Sequence, residues 1–250
     1  MGPSYSAEPI TLSYIIPAHN STSVIEGTLD ALRCRLAGRS AEIVVVENGS
    51  TDGTGSLLQK LEASWPQAEL PLVVLSSAKG LGYAYRAGIA ASRGSRVLLT
   101  ADDLPFGFDD LDAADRMDVA AFPVVIGSKG HRDSDVGRGL LRAVLSEGFL
   151  LLRRLILGSR TRDPQGTFVL AGEWARAVAP RLGETGYLVT TELCYLAERA
   201  GITPVEVPVR LIVGHGDHRS RITVRDVWCM GVGLLDIRRR HAGPSVRPPP

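Results

Sequence analysis

The sequence predicts an α/β fold with a mostly parallel central sheet flanked by helices. Short, continuous apolar runs recur through the first half, as expected of strands buried on both faces. Between them lie segments with apolar residues at helical spacing. Alternation of the two is the pattern of helices covering both faces of a parallel sheet. The 250 residues, 44% hydrophobic and 22% charged, suffice for one full core. One domain is expected over residues 1–242, followed by a Pro-rich tail at 243–250 that is expected to be disordered.

Leu12 to Pro17 is the first strand. Ser23 and Glu26 have capping-box spacing, so a helix is expected here, with Ile25, Leu29, Leu32 and Leu36 on one face and Gly38 placed to end it. Glu42 to Val46 is the second strand, Gly49 to Gly53 a turn, and Leu57, Leu58 and Leu61 mark the next helix. Leu72 to Leu75 is the third strand. Gly80 and Gly82 then open a helix that ends near Arg93-Gly94. Arg96 to Thr100 is the fourth strand and runs into Asp102-Asp103; Val119 to Ile126 is expected to be the fifth. The second half is less regular. It offers helices at 138–157, 190–200 and 223–240, and strands at 168–170 and 203–213. The last helix closes on Arg238, Arg239, Arg240 and His241, charges that complement a helix C-terminus.

Composition narrows the partners. The formal net charge is +1, so affinity for phosphate must come from local clusters. No basic stripe is interleaved with aromatics, and nucleic-acid binding is not expected. Cys34, Cys194 and Cys229 form no C-x-x-C pair and read as reduced packing residues of a cytoplasmic protein. No run reaches the roughly 18 apolar residues of a spanning helix. The expected location is cytoplasmic, with peripheral membrane contact as an option. The basic, apolar helices at 138–157 and 223–240 suit either a core or a surface facing a lipid phosphate; the core reading is preferred from sequence.

Ligands of parallel sheets bind beyond the carboxyl ends of the strands. That singles out Pro17-Ala18-His19-Asn20, Glu47-Asn48-Gly49-Ser50, Asp102-Asp103 and Ser128-Lys129. Such groups can wall a cleft for a base, a ribose and a phosphate. They are also turn formers, and Asn48-Gly49 could be just a turn, although the binding reading is preferred.

Several segments carry a more specific resemblance: I-I-P-A-H-N at 15–20, V-V-V-E-N-G-S-T-D-G-T at 44–54, G-L-G-Y-A-Y-R-A-G at 80–88, A-S-R-G at 91–94 and V-L-L-T-A-D-D at 97–103. V-I-G-S-K at 125–129, R-D-P-Q-G-T-F at 162–168, T-E-L-C-Y-L-A-E-R-A-G at 191–201 and H-R-S-R-I at 218–222 continue it. In order and spacing the set resembles family 2 glycosyltransferases of the GT-A fold, in particular dolichyl-phosphate glucosyltransferases and polyprenyl-phosphate mannosyltransferases, over roughly residues 10–240. The resemblance implies an inverting transferase that takes a sugar from a nucleotide sugar, such as UDP-glucose, to a polyprenyl phosphate or a small specialised acceptor. It implies nucleotide-sugar contacts at Pro17, Ala18, Asn20, Glu47, Asn48, Gly80, Asp102, Lys129, Gln165 and His218. It also implies Mg²⁺ or Mn²⁺ at Asp102, with Asp103 as an alternative or outer ligand. Where the family carries Asp-x-Asp this sequence has Thr100-Ala101-Asp102, where it carries paired aspartates after the second strand Glu47-Asn48 stands, and Thr190 replaces another usual acid.

The chemistry asks for two kinds of residue. Negative charge developing on the departing diphosphate needs cations; Lys129, Arg138, Arg142 and Arg221 are candidates by analogy. A hydroxyl acceptor would need a carboxylate base, for which Asp163 and Glu192 are the candidates, although Glu192 on an apolar helix equally suits a paired structural acid. A phosphate acceptor needs no strong base. The alternative reading is a non-catalytic nucleotide-binding or partner protein on a transferase fold, motivated by Asn48, Thr100 and Thr190 standing where carboxylates are usual.

Overall fold

The computed structural model describes residues 9–118, 121–128, 140–212 and 224–243; the side chains at 140–147 and 224–229 are not among those described. The elements run β1 (Leu12–Ala18), α1 (Ile25–Leu36), β2 (Ala41–Glu47), α2 (Thr54–Ser64), β3 (Leu72–Ser76), α3 (Leu81–Ala91), β4 (Arg96–Leu99) and α4 (Asp109–Ala114). The second half follows with β5 (Val124–Ser128), α5 (Leu140–Leu157), β6 (Thr167–Ala171), α6 (Gly172–Val178), a 3-10 turn at Ala179–Arg181, α7 (Val189–Arg199), β7 (Val205–Pro208) and α8 (Val224–Arg240).

The strands form one sheet in the order β3-β2-β1-β4-β6-β5-β7. β1 pairs in parallel with β2 and β4, β2 with β3, and β5 with β7. β6 is antiparallel to both β4 and β5, so among the described residues it alone runs against the other six strands. The apolar runs are explained by burial on both faces. Alternate residues of β1 go to opposite sides: Ile15 joins a core with Val44, Val46 and Ile89, while Tyr14 and Ile16 join one with Leu29, Leu32 and Val45.

Several sequence expectations shift. The capping box at Ser23 and Glu26 does not form; α1 starts after Val24 without a side-chain cap, and Ser21 O accepts the N–H groups of Val24 and Ile25 instead. The fifth strand starts at Val124 rather than Val119, and the seventh is confined to Val205–Pro208. Helices α4 and α6 were not expected; at 6 and 7 residues they are too short to show a helical period. Cys194 is buried, but Cys34 is exposed and is not a packing residue. No helix among the described residues is long and apolar enough to cross a membrane.

Candidate active site

Strand β1 is the centre from which the order reverses: β2 and β3 lie on one side, β4 on the other. A crevice opens beyond the carboxyl ends of such strands. A cavity of about 540 Å³ lies there. Pro17 and His19 line it from the end of β1, Asn48 from the end of β2, Lys79, Gly80 and Leu81 from the start of α3, and Thr100, Ala101 and Asp102 from the end of β4. Because β6 is reversed, it meets the cavity with its beginning, through Gln165, Gly166 and Thr167. Gly186, Tyr187 and Thr190 close the opposite wall, and Pro105 and Phe106 complete it.

The loops at this edge are stapled to one another. Asn20 is held at φ 56°, and its Oδ1 accepts the N–H of Thr51 at 2.8 Å. Glu47 Oε1 accepts the N–H of Ser50 and thereby shapes the turn through Asn48 and Gly49. Gly49 has φ 77°, and a Cβ built there would lie 2.9 Å from Lys79 Cβ, so this position needs glycine twice over. Asp52 accepts from Thr54 at the head of α2 and from Thr22 after β1. These hydrogen bonds hold the Asp52 carboxyl well below the usual range.

Asp102 is held in the same way. Ser21 Oγ donates to its Oδ2, and Thr28 Oγ1 donates to its carbonyl at 2.6 Å. Burial raises the Asp102 pKa, and the Ser21 hydrogen bond opposes the rise while neighbouring Asp103 adds to it. Tyr85 lies behind, donating its hydroxyl to Thr100 O at 3.2 Å. His19 Nδ1 is buried with no hydrogen-bond partner among the described residues.

The far wall is built from the second half. Thr185 O accepts the N–H of Gly82 at 2.9 Å, and a Cβ at Gly82 would lie 2.0 Å from Glu184 O. Only glycine lets the first turn of α3 approach this loop. Tyr187 is 77% exposed at the cavity edge, and its carbonyl accepts Thr190 Oγ1 at 3.1 Å. The 159–165 segment is fixed by three charged side chains. Glu198 Oε1 accepts the N–H groups of Arg160 and Thr161, Glu206 Oε1 accepts those of Arg162 and Asp163, and the fully buried Arg153 donates Nη2 to Thr161 O. Arg153 Nε and Nη1 have no hydrogen-bond partner among the described residues, and burial lowers its pKa.

A sequence profile of glycosyl transferase family 2 matches residues 13–169, the stretch from β1 into β6. The chain belongs to glycosyl transferase family 2. The dolichyl-phosphate beta-glucosyltransferase of Dictyostelium discoideum is 30% identical over 215 residues, covering 80% of this chain and 66% of that protein. That of Drosophila melanogaster is 29% identical over 225 residues, covering 83% of this chain and 69% of the relative. The chain thus spans about two thirds of the length of these relatives. Among solved structures, glucosyl-3-phosphoglycerate synthase from Mycobacterium tuberculosis in complex with UDP matches with a TM-score of 0.60 at 20% identity, over 94% of this chain and 81% of that one. Mannosyl-3-phosphoglycerate synthase from Rubrobacter xylanophilus matches with a TM-score of 0.61 at 19% identity, over 96% and 78%. These two share the fold with this family 2 chain.

Of the residues singled out from sequence, Pro17, His19, Asn48, Gly80, Asp102 and Gln165 share the cavity. Ala18, Asn20 and Glu47 do not line it. Ala18 is fully buried, and the other two spend their side chains on the adjoining turn. Asp103 also lies off the lining, as does Asp163, whose Oδ1 accepts the N–H of Gln165 at 3.1 Å. Glu192 takes the second of its two readings, the paired structural acid: it is fully buried, off the cavity, and accepts from four donors, so it is not placed to take a proton from a ligand. Lys129, Arg138, His218 and Arg221 lie outside the described residues, as does the side chain of Arg142. Sequence reasoning missed Lys79, Tyr85 and Tyr187. Lys79 stands directly before the Gly80 motif and was within reach of it; nothing in the sequence around Tyr187 marks that residue.

Among the described residues no group of three or more His, Cys, Asp or Glu side chains is arranged to hold a metal ion. The cavity instead offers one carboxylate, Asp102. That fits Mg²⁺ or Mn²⁺ completed by diphosphate oxygens and water, which needs only one or two protein carboxylates, and does not fit a cage made by the protein alone.

Proposed function

We propose that this chain transfers a glucosyl group from UDP-glucose, with inversion, to a phosphate oxygen of a lipid-borne acceptor. The observation that carries the acceptor class is the make-up of the cavity: Asp102 is the only carboxylate among the described residues lining it. A hydroxyl nucleophile needs a base to remove its proton, whereas a phosphate oxygen arrives as an anion. The dolichyl-phosphate glucosyltransferases among the relatives point the same way. The uridine assignment is supported by the shared fold of the synthase solved with Mn²⁺ and UDP.

The acceptor oxygen attacks the anomeric carbon from the face opposite the diphosphate. The new C–O bond forms as the bond to the β-phosphate oxygen breaks, and its electron pair leaves with UDP. Asn48 and the Pro17–His19 strand end hold the nucleoside portion. Lys79 and the start of α3 face the diphosphate, where a cation offsets developing charge. Asp102 would hold a divalent cation, which supplies Lewis-acid stabilisation to the departing diphosphate. The His218–Ile222 segment remains an assignment by resemblance: His218 and Arg221, with Lys129, are proposed to supply further contacts to the diphosphate.

The surface supports a lipid-borne acceptor. Helices α5 and α8, which the sequence placed in the core, pack together yet leave Leu151 (58%), Leu155 (70%), Val232 (42%) and Leu235 (43%) exposed. Arg154, Arg238 and Arg239 are exposed on the same two helices. Exposed apolar side chains and arginines on the same pair of packed helices suit an anionic lipid surface.

Calorimetry with UDP, UDP-glucose and GDP-mannose, with and without Mn²⁺, tests the donor. Radiolabelled transfer to polyprenyl phosphate in vesicles tests the acceptor. Preference for the guanosine nucleotide would overturn the donor, and uridine binding without turnover over a panel of phosphate and hydroxyl acceptors would overturn transfer.

A further inference from the structure

Glu192 sits on α7 two residues after the cavity-lining Thr190 and divides its carboxylate between two distant parts of the chain. Oε2 accepts the N–H groups of Gly183 at 2.9 Å and Glu184 at 2.8 Å. Oε1 accepts Arg240 Nη1 at 2.7 Å and His241 Nε2 at 2.7 Å. The first pair of donors opens the loop that presents Gly186 and Tyr187 to the cavity. The second pair ends α8.

The parts are fitted closely. Arg240 also reaches Glu184 Oε1 at 3.3 Å, and its guanidinium occupies the space beside Gly183, where a built Cβ would lie 2.4 Å from Cζ. Leu182 O accepts Arg86 Nη1 from α3, and Thr185 O accepts the N–H of Gly82. The loop is therefore clamped between α3 and the end of the last helix. A buried carboxylate is costly unless it is paired and hydrogen-bonded, and Glu192 is fully satisfied. Anchoring α8 alone does not require this, because Leu234 and Ile237 already bury themselves beside Leu157 and Tyr195.

We propose that Glu192, Arg240 and His241 form a positioning latch, through which the end of the last helix sets the 183–187 loop and hence Tyr187 at the cavity mouth. None of the three lines the cavity. The latch rests on the transferase reading only for what the cavity binds.

The test compares Arg240→Gln and His241→Gln with Leu234→Ala, which weakens the packing of the same helix without touching the latch. Amide hydrogen exchange of residues 183–187, melting temperature, and KM and kcat with UDP-glucose are measured for each. The two latch variants are expected to exchange about tenfold faster at 183–187, as loss of a charged hydrogen bond would produce. Their KM should rise severalfold with kcat little changed. Leu234→Ala is expected to lower the melting temperature while leaving exchange at 183–187 and KM as in the unaltered protein. Arg240→Lys, which keeps a charged donor, is expected to recover part of the protection. Equal exchange at 183–187 in all variants, or the same KM change in Leu234→Ala, would overturn the latch. Exchange is read without ligand, so failure of the uridine assignment leaves this comparison intact.

Discussion

Asp102 carries charge where burial opposes it, and the two consequences run in opposite directions. Its raised pKa means that the folded state favours the protonated acid. Stability from this group is therefore full below the unfolded value of about 3.9 and is lost as pH rises through the folded value. Asp102→Asn is expected to melt at a higher temperature than the unaltered protein at pH 7, with the gap closing as pH approaches 4; scanning calorimetry across that range checks it. The same variant should lose the Mn²⁺-dependent part of its UDP affinity, at least about tenfold, as expected when a charged ligand becomes neutral. In the unaltered protein, Mn²⁺-dependent affinity should begin to fall at a pH above the ordinary aspartate range, because protons compete for the same oxygens. At this scale the sequence singled out about a third of the residues that line the cavity. Pro17, Asn48, Gly80 and Asp102 stand at strand or helix ends, where a parallel sheet must put its ligands. Tyr187 was hidden and the partners of Glu192 could not be named, because both depend on contacts between α7, a loop and a helix nearly fifty residues away.

Elements make their predictions through packing. Gly82→Ala would drive a methyl group into Glu184 O. It is expected to destabilise the protein by about 1–3 kcal/mol, typical of overpacking, and to weaken UDP binding, since both sides of this contact continue into the cavity wall; denaturant melts and calorimetry read the two effects. Leu155→Glu, on the exposed face of α5, should leave stability within about 0.5 kcal/mol. It should nevertheless reduce binding to vesicles containing anionic lipid, measured by co-sedimentation. The parallel strands were legible because burial on both faces leaves an unbroken apolar run, as in Ile43–Val46. The short helices α4 and α6 were not, since one or two turns cannot establish a period. The exposure of α5 and α8 was missed by the core reading preferred from sequence, because an apolar stripe looks the same whether protein or lipid covers it.

Across the whole molecule, one reversed strand joins two halves at a shared cavity. Four strands of the first half are parallel and line the cavity with their carboxyl ends or the loops beyond them; β6 enters from the second half and brings Gln165. Acid should loosen the junction. Burial would raise the Glu192 pKa, but hydrogen bonds from His241, Glu184, Gly183 and Arg240 outweigh this and hold it low. Its stabilisation is present above the unfolded value of about 4.3 and is lost as pH falls through the depressed value. Glu192→Gln should therefore flatten the acid limb of the stability curve below pH 4 in calorimetry. The stranded nitrogens of Arg153 set a further order of events. Among the described residues two nitrogens of this buried cation have no hydrogen-bond partner, so their solvation on opening offsets part of its cost, and warming should loosen the 159–165 segment before the sheet yields. Uridine nucleotides should then be released several degrees below the loss of far-ultraviolet circular dichroism, so that heat silences this protein while most of it is still folded.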